Sequence, residues 1–436
     1  SASAAAMARR RALGRHGRLG RLPLRGWCLY LLGAVPTASG EEARPPNLLL
    51  LFPDEWRWDW AGFDPSEAEL RMPNLQSLAA RGTRFTNAYT PAPWCASARA
   101  CLASTKTWDN SPKTLNGQDF PLLVPTWYQA LRKAGYHTII VGKDDLCQSM
   151  AGVKPDGHRH AHALGVDDWY RMQDKYVTYR KNRPWDQFGS SMWQKGCGLT
   201  DSGELTLYGC NYWCYGRFGL GKCCSKIAHE GFDCPAFDQV GANQEDYIDN
   251  FVTFQAEMLL DRVPPGKPWV LHLSFPGPHP PFIITEGMNR SIAGRKFSPA
   301  RDNSRLSGAQ QSQIRQQYAA QIENLDSLFG RILAKLEATG QAANTLVAVT
   351  SDHGEQLGEQ NVWGKKQPWE PSLRVPLVVS GPGVAKGREV EVPVSTLDVV
   401  GTFLDRAGAK VRGQEATSLE PLLRAGKPPD EAAYLQ

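Results

Sequence analysis

The chain has 436 residues, 42% of them hydrophobic and 21% charged, which suits a globular protein able to bury one large core or two smaller ones. Its formal charge of +5 comes from the first forty residues, where seven arginines stand without one acid or lysine. Setting those seven aside leaves 42 basic residues against 44 acidic ones, so the body of the chain has no polycationic character and a nucleic acid is not its expected partner.

In chain order, Arg9, Arg10, Arg11, Arg15, Arg18, Arg21 and Arg25 make a basic region. An apolar stretch follows from Trp27 to Val35, then the small residues Ala38-Ser39-Gly40 before Glu41-Glu42. This order predicts a targeting segment over 1–40, with Met7 a candidate start. It reads as a secretory signal, which places the protein in the secretory pathway, extracellular or lysosomal; an arginine-rich organelle transit peptide is the other reading. The apolar stretch is too short to span a bilayer, so no stable membrane span is expected.

From Pro45 onward, short apolar runs alternate with helical patterns. Leu48 to Phe52 (LLLLF), His137 to Val141 (HTIIV), Trp269 to Phe275 (WVLHLSF), Leu346 to Thr350 (LVAVT) and Val375 to Ser380 (VPLVVS) read as strands buried on both faces. Helix candidates lie at Pro73–Arg81, Thr126–Ala134 and Gln310–Thr339. The last repeats apolar residues at Ile314, Tyr318, Ile322, Leu325, Phe329, Ile332 and Leu336, with Gly340 as its stop. Strand-then-helix alternation predicts an α/β domain over 45–425 with a largely parallel sheet flanked by helices.

Residues 150–235 break the alternation and read as a long insertion over one end of the sheet. Of ten cysteines, Cys28 lies in the leader and Cys95 is set apart for chemistry. Cys101, Cys147, Cys197, Cys210, Cys214, Cys223, Cys224 and Cys234 remain, six of them within 197–234, which in an exported chain predicts a disulfide-stapled insertion. A zinc site is the alternative, although two CxxC pairs are missing. Asn289-Arg290-Ser291 is a permitted glycosylation sequon. Residues 426–436 read as the start of an incomplete C-terminal subdomain.

Polar residues stand directly after four of the strands: Asp54-Glu55, Lys143-Asp144-Asp145, His279 and Asp352-His353. The carboxyl ends of parallel strands share one rim, where ligands bind. Clustered carboxylates repel unless a cation intervenes, and a hard divalent ion on oxygen ligands resolves the repulsion. Glu55 and His353 complete such a shell, and the imidazole admits softer ions. Read separately, the same groups are surface or N-cap carboxylates. Pro93 to Leu102 reads as a turn entering a helix, which puts Cys95 at a helix N-terminus with Arg99 one turn on. Cys95 is then a nucleophile or a buried apolar cysteine. Lys143 and Lys365 bring two ammonium groups to an anionic substrate, or are solvated surface lysines.

The ordered blocks Pro46-Asn47-LLLLF-Pro53-Asp54, Pro73-Asn74-Leu75, Gly82 to Tyr89, Cys95 to Arg99, Gly142-Lys143, His279, Ser351-Asp352-His353-Gly354-Glu355, Trp363-Gly364-Lys365 and Val375-Pro376 resemble the sulfatases of the alkaline phosphatase superfamily from about Pro46 to Gly413. The surroundings of Lys143 and His279 are nearest the arylsulfatase K, iduronate-sulfatase and choline-sulfatase side of that family. The resemblance implies an alkaline-phosphatase-like sheet and hydrolysis of a sulfated carbohydrate or small sulfate ester. It implies that a formylglycine-generating enzyme oxidises Cys95 to formylglycine, whose hydrate supplies the nucleophilic oxygen. Asp54, Asp352 and His353, with Glu55 and Cys95, would hold a divalent metal, usually Ca²⁺, with Mg²⁺ or Mn²⁺ as alternatives. Arg99 would stabilise the hydrate, Lys143 and Lys365 would neutralise the sulfuryl group, and His279 would bind it or protonate the leaving alcohol. The chain departs from the family motif C-x-P-x-R with Ser97 in place of proline and Ala98 where serine is usual. Two other readings keep the site: a phosphodiester or phosphonate hydrolase with unmodified Cys95, and an inactive fold that binds sulfated glycans.

Overall fold

The structure, a computed structural model, describes residues 44–63, 69–112, 118–146, 157–171, 240–242, 247–280, 282, 284–300 and 307–435. The expected leader over 1–40 and the cysteine-rich run at 197–234 lie outside the described residues. Strands β1 (Asn47–Asp54), β2 (Gly82–Tyr89), β3 (His137–Gly142), β4 (Asp168–Arg171), β6 (Trp269–Pro278), β8 (Thr345–Thr350), β9 (Arg374–Ser380), β10 (Arg388–Val390) and β11 (Val394–Ser395) form one sheet. Between them in the chain, β5 (Val240–Ala242) and β7 (Ile284–Thr285) pair separately. The main order is β10-β2-β9-β8-β1-β6-β3-β4, with β11 beside β2. Every pairing in it is parallel except the two made by β9, which runs antiparallel to both β2 and β8.

The apolar runs form this sheet because both of its faces are covered. All eight residues of β1 are buried, and Leu48 to Phe52 alternate between two cores. Leu48, Leu50 and Phe52 join Ile140, Val270, Leu346 and Leu377 under the helices Cys95–Ser104, Trp127–Lys133 and Leu397–Arg406. Leu49 and Leu51 join Ile139, Leu271, Val347 and Val378 under the helices Pro73–Ala80, Ile248–Leu260 and Gly308–Ala338. The longest helix buries the whole apolar series from Ile314 to Leu336, as its spacing predicts. A capping box starts it: Ser307 Oγ accepts from Gln310 N, and Gln310 Oε1 accepts from Ser307 N.

Three details differ from the sequence reading. Residues 157–171 hold a helix, Gly157–Leu164, and the edge strand β4 paired in parallel with β3. Residues 168–171 of the stretch expected to be an insertion thus belong to the main sheet. Cys101, counted with the cysteines available for pairing, is a free buried thiol packed in the first core; Cys147 and the six cysteines of 197–234 lie outside the described residues. The third is the reversed direction of β9. Among the described residues, no helix is long and apolar enough to cross a membrane.

Leu271 has no exposed surface and sits on β6 against the long helix. Leu271→Ala is expected to destabilise the fold by about 2–5 kcal/mol, through lost burial and a residual cavity. Urea unfolding measures this, and a midpoint equal to the parent's contradicts the two-core packing.

Candidate active site

The parallel strands deliver their following residues to one rim. Asp54 closes β1, Lys143 follows β3, His279 follows β6 and Asp352-His353 follow β8. Strand β2 runs with β8 in direction, so its successor, the Cys95–Ser104 helix, starts at the same rim. Because β9 runs back, the β8–β9 connection never leaves that rim, and it carries Lys365. The nine residues named from the sequence therefore meet, all of them buried except the part-buried His279.

Arg99 is the hub. Its Nε donates to Asp352 Oδ2 at 3.0 Å and its Nη2 to Asp54 Oδ2 at 3.1 Å. Its Nη1 donates to Lys143 O at 2.8 Å and to Ser274 Oγ at 2.6 Å. Asp145, on the same rim, lies 3.8 Å from Arg99 Nε and 3.5 Å from Lys143 Nζ. Lys143 Nζ pairs with Asp54 Oδ2. Lys365 Nζ lies 2.6 Å from Glu55 Oε2 and 4.0 Å from Asp54 Oδ1. Asp352 Oδ1 accepts from Glu55 N at 3.0 Å and from His353 N at 2.9 Å, so the carboxylate also fixes the turn after β1. Glu55 there adopts a left-handed φ of 67°. Its carbonyl accepts from the Tyr318 hydroxyl at 2.7 Å.

Both imidazoles are oriented by backbone carbonyls. His353 Nδ1 faces Gly354 O at 3.0 Å, and His279 Nδ1 faces Pro280 O at 2.5 Å. A carbonyl only accepts, so Nδ1 carries the proton in each ring and Nε2 is turned to the site. His353 Nε2 lies 3.2 Å from Cys95 Sγ and 3.9 Å from Asp54 Oδ1. His279 Nε2 lies 3.3 Å from Glu55 Oε2.

This donor set fits a divalent cation. Asp54, Cys95, Asp352 and His353 each offer one ligand atom, and these atoms all lie within 4.8 Å of one another. Glu55 falls in a second grouping with Asp54 and His279, and its Oε1 is buried without a hydrogen bond among the described residues. Two carboxylates and an imidazole whose unprotonated Nε2 is turned to them suit a hard or borderline ion.

Titration directions follow from burial set against charge. Burial would raise the Asp54 carboxyl, but Lys143, His279, Lys365 and Arg99 outweigh it and hold the group well below the usual carboxylate range. Burial pushes Glu55 well above its usual range; Lys365 opposes this and Glu355 adds to it. Burial lowers both His353 and His279, with Lys365 and Lys143 lowering His279 further. The Cys95 thiol is pushed up to about 12 by burial, then by Asp54 and Asp352 against the opposing lysines.

Sequence reasoning found the first ring of residues and missed the second. Ser274 lies inside the apolar run of β6, and Tyr318 was assigned to the buried face of the long helix. Its hydroxyl also accepts from Arg57 N at 3.1 Å, pinning the segment after Glu55. A hydroxyl in an otherwise apolar run was the available signal in both cases.

A family model described as sulfatase matches residues 46–409. The choline-sulfatase of Rhizobium meliloti is 27% identical over 400 residues, covering 83% of this chain and 68% of that protein. Arylsulfatase K of Danio rerio is 27% identical over 412 residues, covering 91% of this chain and 70% of its own. Among solved structures, the phosphonate monoester hydrolase of Agrobacterium radiobacter superposes with a TM-score of 0.67 at 22% identity, over 87% of this chain and 77% of that one. That likeness speaks to the fold.

Arg99→Met leaves Asp54 and Asp352 buried without their shared guanidinium. A loss of about 3–5 kcal/mol in urea unfolding is expected, because one partner of a buried ion network has gone. Parental stability in this variant contradicts the hub assignment.

Proposed function

The chain belongs to the sulfatase family, and we propose that it hydrolyses sulfate esters at this rim, with Cys95 matured to formylglycine as the source of the nucleophile. The observation that carries the reading is the place of Cys95, whose Sγ lies 3.2 Å from His353 Nε2 and 3.9 Å from Asp54 Oδ1, among the donors that fit a cation. The family implies a divalent metal and a formylglycine. Ca²⁺ is the ion we assign, with Mg²⁺ or Mn²⁺ accepted by the same donors, held by Asp54, Asp352 and His353 with Cys95 beside them. Once bound, the ion adds positive charge opposite the reacting anion, and the hydrated aldehyde supplies an oxygen nucleophile.

The protein's own groups do the rest. Asp54, Glu55, Asp145 and Asp352 face Arg99, Lys143 and Lys365, with burial disfavouring the charged form of Glu55, so a divalent ion leaves the site net positive. That balance suits an anionic ester. Lys143 and Lys365 are buried at the rim, where ammonium groups stabilise charge developing on the sulfuryl oxygens more strongly than in water. Arg99 holds the carboxylates apart and lies one helical turn from position 95. His279, with its Nδ1–H committed to Pro280 O, turns Nε2 to the site. It binds the sulfuryl group or passes a proton to the departing alcohol in its imidazolium form, which a bound anion favours against the burial and lysines that lower it.

Ser97 bears on maturation rather than on the folded site. It lies fully buried in the first turn of the Cys95–Ser104 helix, where proline and serine both fit helical geometry. The exchange therefore alters what the formylglycine-generating enzyme reads and leaves the helix intact. The second reading, hydrolysis of a phosphodiester or phosphonate by unmodified Cys95, is favoured by that exchange. The thiol at about 12 weighs against it, since such a group is protonated at neutral pH in the ion-free pocket. The basic leader supports export through the secretory pathway, and sulfated carbohydrates or small sulfate esters are the substrates proposed.

Mass spectrometry of the peptide spanning Cys95, from protein matured in a secretory host, is expected to show an aldehyde. A plain thiol accompanied by turnover of a phosphodiester dye would establish the second reading, and a thiol with no turnover the inactive glycan-binding fold. Asp352→Asn is expected to abolish Ca²⁺ binding in calorimetry and to lower aryl sulfate turnover at least about 100-fold. Undiminished binding in that variant refutes the metal assignment.

A further inference from the structure

The Ile248–Leu260 helix packs on β6 and β3, and its first turn carries Asp249. Asp249 is 1% exposed and belongs to none of the groups assigned above. Its Oδ1 accepts from Gly277 N at 2.9 Å, and a Cβ built on Gly277 would stand 2.7 Å from its Oδ2. The carboxyl thus lies flat against the backbone two residues before His279. That backbone is also where β6 leaves its regular ladder with β1. Pro53 pairs with Phe275, but Asp54 pairs with Pro278, so Pro276 and Gly277 are pushed out as a bulge. The bulge is closed by His279 N donating to Pro276 O at 3.2 Å.

We propose that Asp249 is a positioning residue, which holds the Gly277 bulge in the shape that turns the His279 imidazole toward Glu55 and the leaving-group side of the site. The proposal rests on the reading in which His279 hands a proton to the departing alcohol. Asp249 acts through the hydrogen bond it accepts from Gly277 N. It makes no ion pair among the described residues, and burial pushes its carboxyl up to about 7, against the pull of the Gly277 N–H and with Asp54 adding to the rise. An isosteric amide keeps the acceptor, whereas alanine removes it.

The test is steady-state kinetics of the full, matured chain on two sulfate esters, one with an activated p-nitrophenol leaving group and one with an unactivated phenol or alcohol. A misplaced acid matters only where the leaving oxygen needs its proton. Asp249→Ala is expected to lower kcat on the unactivated ester about 10–100-fold with KM unchanged, and on the activated ester by no more than about 3-fold. Asp249→Asn is expected to stay within about 3-fold of the parent on both. Gly277→Ala disturbs the same bulge from the other side and should show the same dependence on leaving group, which keeps the test open if Asp249→Ala folds poorly. Equal losses on both esters in Asp249→Ala and Gly277→Ala overturn the proposal, as does an Asp249→Asn as poor as the alanine variant. His279→Ala separates the two layers. Without any leaving-group dependence of its own, the acid role fails and the proposal with it; with that dependence, but none in the Asp249 and Gly277 variants, only the positioning role fails.

Discussion

Arg99 ties four strands of one sheet to a single point. Its guanidinium reaches Asp54 at the end of β1, the carbonyl of Lys143 after β3, Ser274 within β6 and Asp352 after β8. Burying Asp54 and Asp352 side by side is unfavourable by several kcal/mol per charge unless a cation lies between them. A lysine could neutralise one carboxylate, but its three donors lack the flat fork that spans two carboxylates, a carbonyl and a hydroxyl together. The position of the helix that bears Arg99, and so of Cys95 at its start, is therefore fixed by the same carboxylates that present themselves to a metal. Site and fold share one electrostatic constraint.

The sheet makes that constraint satisfiable. Parallel strands β1, β3, β6 and β8 bring residues far apart in the chain to one rim, and the two apolar cores keep the rim from shifting. The reversal at β9 does something parallel strands alone would not. It holds the connection after Asp352 at the rim long enough to return Lys365 to Glu55 and Asp54. Acids delivered by β1 and β8 thus meet bases from the Cys95–Ser104 helix, from the segment after β3 and from the β8–β9 connection.

Much of this was legible before any coordinates. Continuous apolar runs such as LLLLF announce strands covered on both faces, and polar residues immediately after such runs point to one rim once the strands are parallel. The direction of β9 was not legible, because a run buried on both faces reads alike in either direction. The edge strand β4 was hidden by composition, since its short run Asp168–Arg171 lies among charged and aromatic residues and has no alternating pattern. Ser274 and Tyr318 read as core, correctly by burial, but which groups their hydroxyls meet depends on strands and turns far away in the chain, which no periodicity records. Asp249 escaped for a related reason, as the bulge it supports exists only in the pairing of β6 with β1. The even count of pairable cysteines failed at Cys101, because a cysteine on an apolar helix face is as readily a small hydrophobic residue as half of a disulfide.

The same dry, carboxylate-lined pocket explains why a cysteine here is better replaced than used. Ionising the Cys95 thiol would add a third negative charge beside Asp54 and Asp352 in a place where burial already disfavours it, and the thiol accordingly sits near 12. The lysines oppose that penalty without cancelling it. An aldehyde at the same position is neutral, needs no ionisation to occupy the pocket, and offers oxygen rather than sulfur to a hard cation. The surroundings of position 95 are thus better matched to a carbonyl-derived oxygen than to the thiol encoded there, and this preference holds whatever ester the rim receives.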